Sequence, residues 1–227
     1  MDIAIDPGAL AATRRALHSV AEHVLAGDLW RTTGRIGLRR TPGGFGQPEH
    51  EAAGARRRLR VDGTSLVVLE GDVERWSPLT SLGAAARAAG TRPGAPTMVY
   101  EPETAADPDA ALDLDAGAAG ALADWFTFVE DALAELRRRH ADRTPTLPQL
   151  WPEHFDLACS MDEVNLGGSP GDDDHDRPYL YVGPWGPRTG PFWNEPWGAA
   201  LAWDELGSVD DAVAFFERGL ERAAADR

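Results

Sequence analysis

The sequence predicts an α+β fold: mainly antiparallel sheet with an N-terminal, a central long and a C-terminal amphipathic helix packed against it. Three stretches repeat apolar residues at helical spacing, and two groups of short segments alternate apolar with polar residues. No regular strand–helix alternation links them, which argues against a doubly wound parallel sheet.

In the first helix, Asp6 is the cap and Pro7 stands where a missing N–H costs nothing. Leu10, Leu17, Val20, Ala21, Val24 and Leu25 form its buried stripe, and Gly27 is the expected stop. His18 and Glu22 share a face at i, i+4, with His23 turned away, and read as surface residues. Ile36 and Leu38 alternate with arginines in a first strand, and the glycine-rich 41–48 reads as an inter-strand loop. Leu59 and Val61, then 66–69, flank Asp62-Gly63, a strong hairpin signal. A short helix is expected from Ser77-Pro78 to about Gly90. The long helix covers about 115–140 and ends on Arg137, Arg138 and Arg139, where cations suit the helix dipole. Strands follow at 155–161, 179–182 and 198–203. Ser208 and Asp211 cap the last helix, whose stripe is Val209, Ala212, Val213, Phe216 and Leu220. Joining both strand groups in one sheet is the expected topology, since each group looks too small to stand alone.

At 227 residues one domain is expected, spanning 1–227, with a subdivision, if any, near the Pro/Asp/Ala-rich 91–113. Net charge is −15, split as 13 Arg against 10 acidic residues over 1–100 and 9 against 27 over 101–227. That balance disfavours nucleic acid and anionic membrane, both of which select cations. No apolar run is long enough to span a bilayer, and MDIAIDPGAL lacks the basic and apolar regions of a secretory signal. The single cysteine, Cys159, allows no internal disulfide, and the expected location is cytoplasmic.

Three constellations carry candidate chemistry. Residues 167–178 hold Asp172, Asp173, Asp174, His175 and Asp176, and Asp172, Asp173 and His175 are candidate ligands for a divalent metal. His154 and Asp156 lie just before and at the start of a strand, and one or the other is the candidate catalytic base beside such an ion. Trp185, Trp193, Asn194 and Trp197, with Glu195 nearby, are candidates for a cleft that takes a flat or sugar-like ligand. Cys159 sits mid-strand and reads as buried and inert. No P-loop lysine, dinucleotide fingerprint or nucleophile elbow is present.

The stretches Thr33-Gly-Arg-Ile-Gly-Leu-Arg39, Thr41-Pro-Gly-Gly-Phe-Gly46, Trp151-Pro-Glu-His-Phe-Asp156, Asn165-Leu-Gly-Gly-Ser-Pro-Gly-Asp172 and Pro178-Tyr-Leu-Tyr-Val-Gly-Pro-Trp185 resemble conserved hypothetical proteins of GC-rich actinobacteria. The resemblance implies a bacterial cytoplasmic protein and carries no catalytic residue over. The leading functional expectation is therefore a binding protein with a small ligand in the Trp-rich cleft. Two alternatives stand beside it: a divalent-metal-dependent hydrolase using the 172–176 loop, and a non-enzymatic homodimer that sets its Arg-rich strand at 56–60 against acidic surface.

Overall fold

A computed structural model describes residues 6–225, so the first half of MDIAIDPGAL lies outside the described residues. Two compact units emerge. The N-terminal unit takes the chain up to Asp124 plus Leu150–Phe155, and the C-terminal unit takes Trp125–Gln149 and the chain from Asp156 onward. The fold is α+β with antiparallel strands throughout, but there are two sheets rather than one. The single-sheet expectation failed because it counted too few strands. Five that the sequence reading did not separate, β2, β3, β6, β7 and β9 below, bring the sheets to six and five strands.

The N-terminal unit opens with α1 (Pro7–Val20), a wide π-turn (Ala21–Ala26) and α2 (Gly27–Thr33), which run without a break. The Asp6 side chain accepts from the Ala9 N–H at 2.9 Å, as expected of a cap. Gly27 does not end the helix. The stop is Gly34, at φ +71°, whose N–H closes on Trp30 O. Gly27 answers a different need: a Cβ there would lie 2.2 Å from the carbonyl oxygen of Gly94. Leu17, Val20, Ala21, Val24, Leu25 and Leu29 are buried as one continuous stripe.

The sheet of this unit comprises β1 (Arg39–Thr41), β2 (Gly44–Gly46), β3 (His50–Ala52), β4 (Ala55–Asp62), β5 (Ser65–Glu70) and β6 (Val73–Pro78). Its order is β1-β2-β4-β5-β6, with β3 also on β4. The expected hairpin is present, with Asp62 paired to Ser65 and Gly63 at φ +56°. The glycine-rich loop narrows to the Pro42-Gly43 turn between β1 and β2, and its 44–46 part is a strand. A Cβ on Gly46 would come within 2.5 Å of Arg60, so glycine is what lets β2 lie on β4. The edge strand β6 escaped notice because Val73 and Trp76 are both exposed and show no alternation. The helix α3 (Leu82–Ala88) starts later than expected, capped by Ser81, which accepts from the Ala84 N–H. Residues 91–113 contain no helix and no strand longer than one bridge, as a connector should.

In the C-terminal unit, α4 (Ala116–Arg139, its first turns counted with the other unit) precedes β7 (Gln149–Trp151, of which Leu150 and Trp151 are counted with the other unit), β8 (Asp156–Met161), β9 (Val164–Ser169), β10 (Tyr179–Pro184), β11 (Ala199–Ala202) and α5 (Val209–Ala225). The strands form a meander in the order β7-β8-β9-β10-β11. Helices cover one face. At Gly168 a Cβ would meet Val129 of α4 at 2.5 Å, and at Gly219 of α5 it would meet Val182 at 2.6 Å. The other face carries Ala158, Gly167, Ser169, Tyr179, Tyr181, Ala200 and Ala202, which lie side by side in the register.

The β8–β9 turn holds Asp162 and Glu163 at φ +51° and +64°, the left-handed pair of a two-residue hairpin, where Asn-Gly is preferred. Glu163→Gly is expected to raise stability by about 1 kcal/mol, because it removes the Cβ penalty at that φ. Urea unfolding at equal m-value measures the change, and no rise in midpoint would contradict it.

Candidate functional site

The strongest polar cluster of the C-terminal unit forms around the two tyrosines of β10. Tyr179 and Tyr181 are two residues apart, so both rings rise from the face opposite the helices. Their neighbours on that face are small. A Cβ on Gly167 would sit 2.9 Å from the Tyr181 hydroxyl, so glycine opens room for it. Tyr181 donates a hydrogen bond to Asp156, which is buried at the start of β8. Tyr179 donates to Asp172 Oδ2 at 2.6 Å.

Asp172 organises the loop between β9 and β10. Its Oδ1 accepts from the N–H groups of Asp174 and His175 at 2.9 and 2.7 Å. Its own N–H donates to the His175 carbonyl. This closed turn swings the His175 ring over Tyr179, with centroids 4.5 Å apart. His175 Nε2 lies 3.2 Å from Glu195 Oε1, and Nδ1 lies 3.4 Å from Asp172 Oδ1. The imidazole is thus held between two carboxylates.

Glu195 and Trp197 arrive on a tight turn before β11, closed by reciprocal backbone hydrogen bonds between Glu195 and Gly198. Gly198 has no substitute there, since a Cβ would fall 2.0 Å from Val182 O. Trp197 stays 43% exposed, with its ring 6.1 Å from those of both Tyr179 and Tyr181.

The electrostatics follow from this packing. Burial works against the charge on Asp172, but the Tyr179 hydroxyl and two backbone N–H groups outweigh it and hold the carboxyl below its usual range. For His175, burial likewise disfavours charge, yet Glu195 and Asp172 together raise its pKa. Tyr179 and Tyr181 are both pushed up, first by burial and then by the adjoining carboxylates, so both hydroxyls stay protonated donors.

The candidates from sequence divide accordingly. Asp156, Asp172, His175 and Trp197 belong to this one cluster. Asp173 is exposed beside it. Among the described residues no group of three or more His, Cys, Asp or Glu side chains is placed to hold a metal ion. His154 falls in the N-terminal unit and Asp156 in the other. The His154 side chain is 69% exposed, with Nδ1 3.5 Å from Glu103. Trp185 is exposed and donates to Asn165 Oδ1 at 3.0 Å, while Trp193 packs edge-on against Phe192. Asn194 commits both ends of its amide to the backbone of Ala200. It shapes the turn that carries Trp197. Cys159 is buried, and burial pushes its thiol up to about 11.

Sequence reasoning missed Tyr179 and Tyr181. The i, i+2 tyrosine pair directly after an Asp/His loop was the available signal. It also misread His18 and Glu22, which are buried rather than at the surface, as is His23. No helix among the described residues is long and apolar enough to cross a membrane. Comparison with protein-family models, curated proteins and solved structures finds no match to this chain.

Proposed function

We propose that this is a cytoplasmic binding protein whose C-terminal unit takes a small organic cation, an ammonium or guanidinium group, at the Tyr179–His175–Trp197 cluster. One observation carries the reading: two carboxylates, Asp172 and Glu195, flank an imidazole whose ring lies tilted at 39° against Tyr179, with the exposed Trp197 ring beside them. Aromatic faces attract cations through their quadrupole, and flanking carboxylates add charge and hydrogen-bond acceptors. The imidazolium of His175 has the shape and charge that a ligand's cationic group would bring. Such a ligand competes with the ring's own proton.

Titration with tetramethylammonium, guanidinium and a primary diamine, against acetate and a neutral sugar, tests this. At least one cation is expected to quench Trp fluorescence saturably, and Trp197→Ala and Asp172→Asn each to weaken it about tenfold, the equivalent of 1.4 kcal/mol. Because the pKa of His175 is raised, its charge persists above the usual imidazole range and is lost as pH climbs past the folded value. Affinity for a cation is therefore expected to rise with pH, by up to about tenfold per unit while His175 is charged, and then to level off. No saturable signal from any cation, or equal affinity in Trp197→Ala, would sink the reading.

A further inference from the structure

A second buried cluster lies in the N-terminal unit, apart from the binding reading above. It is built on the π-turn. Such widened turns are rare and frequently sit at functional positions. Glu22 and His23, consecutive in that turn, are 0% and 1% exposed. Glu22 Oε1 accepts from the Glu103 N–H at 3.0 Å, and Oε2 accepts from the N–H and the hydroxyl of Thr104. His23 Nε2 lies 2.9 Å from the Thr104 carbonyl, which can only accept, so Nε2 carries the proton. His23 Nδ1 lies 3.1 Å from the Ala95 N–H, which can only donate, so Nδ1 is a bare acceptor. The Gly94 N–H donates to the His23 carbonyl at 2.9 Å, and Gly27 without a side chain lets Gly94 lie close. Residues 94–104 have no strand or helix of their own, and their middle swings out, leaving Met98 92% exposed. Two buried side chains thus hold a segment that would otherwise lack partners for its amides at Ala95, Glu103 and Thr104.

We propose that residues 94–104 form a strap released by acid, with His23 as the proton-sensing catch. A second proton on the ring sets an N–H at Nδ1 against the N–H of Ala95, so a donor faces a donor and that end of the strap lets go. Glu22 Oε2 stands 3.9 Å from Nε2, so a doubly protonated ring would have an anionic neighbour. Once the strap's three donors leave Glu22, its charge is less neutralised and holds the imidazolium more firmly. Opening bares the Glu22 carboxylate and the Tyr100 hydroxyl, a buried group with no hydrogen-bond partner in the docked strap.

Other titratable and charged groups around the catch are Arg14 and His18 on α1, Arg31 on α2, which donates to the Gly94 carbonyl, Tyr100 and Glu103 on the strap, and Glu153 and His154 on the 150–155 segment. His18 is lowered to about 4, chiefly by burial, and stays neutral over the working range. Glu22 acts in the opposite sense to His23. Burial raises its pKa against the pull of the strap's donors, so its acid form favours the docked state. The measurement therefore has to isolate His23.

Hydrogen exchange read by mass spectrometry does so, on peptides spanning 94–104, from pH 8 to pH 5, corrected for intrinsic rates, in the full chain and in His23→Gln. The ratio of wild-type to variant protection is expected to fall at least about tenfold on acidification. Peptides from β4 and β5 should hold steady in both proteins. A ratio that does not change with pH overturns the proposal. Should His23→Gln fail to fold, NMR of the wild type serves instead. The Ala95 amide is expected to shift with the same midpoint as the His23 ring nitrogens, and an Ala95 amide that ignores ring protonation overturns it equally.

Discussion

Arg57→Met is expected to destabilise the protein by about 4 kcal/mol, because it strands a carboxylate in the core of the N-terminal unit. Arg57 is 8% exposed and Asp28 4%. The guanidinium meets Asp28 through two nitrogens, at 3.1 and 3.2 Å, and also donates to Glu70 Oε1 at 2.6 Å and to the Ala89 carbonyl at 2.7 Å. Ala89 caps α3, so that carbonyl is one of the orphan acceptors at a helix end. Methionine keeps most of the apolar stem but none of the donors. Asp28 would retain one side-chain partner, Gln47 Nε2 at 3.0 Å. Gln47 is itself tied to Leu25 O and the Leu59 N–H, so it cannot turn to compensate. If the loss comes from the stranded charge, adding Asp28→Asn should return at least about 1 kcal/mol, since a neutral amide costs less to bury. Urea unfolding of both variants at unchanged m-value measures this. A cost under about 1 kcal/mol for Arg57→Met, or no recovery in the double variant, would mean that water reaches Asp28.

That network also marks where the sequence stops being readable. Local signals were legible: the Asp6 cap, the Asp62-Gly63 hairpin, and Ser208, which accepts from the Asp211 N–H at 3.2 Å to start α5. Each involves residues within a few positions of one another. Arg57 and Asp28 are 29 positions apart, and Glu22 and Thr104 are 82 apart. A polar residue on a predicted strand or helix reads as solvated until its distant partner is known, which is why His18 and Glu22 were placed at the surface. The candidate site shows the same division. Asp172, His175 and Trp197 stood out by composition, whereas Tyr179 and Tyr181, which tie them together, are placed by strand register. Asn194 and Trp185 looked like ligand contacts because nothing local revealed their bonds to Ala200 and Asn165.

Gly168→Val tests the packing on which the tyrosine face depends, and is expected to cost about 3 kcal/mol, with Gly168→Ala nearer 2. The strand β9 separates two demands. At Gly167 the absent side chain leaves room for the Tyr181 hydroxyl, and at Gly168 it admits α4 to the opposite face. A Cβ at 168 would press 2.5 Å from Val129 Cγ2 and 2.9 Å from Trp125 Cζ2. Trp125 cannot yield: it is 1% exposed and wedged edge-on against Trp203, with centroids 4.9 Å apart. Val129 can, if shortened. Gly168→Ala with Val129→Ala should therefore cost less than the two single changes summed, by about 1 kcal/mol, since the new methyl enters the space vacated by Cγ2. Thermal or urea unfolding of the three variants gives the coupling directly. Strict additivity would show that α4 does not rest on Gly168. The clear opposite face would then owe nothing to the glycine pair, and the position of Tyr179 and Tyr181 would have to be explained by their hydrogen bonds to Asp172 and Asp156 alone.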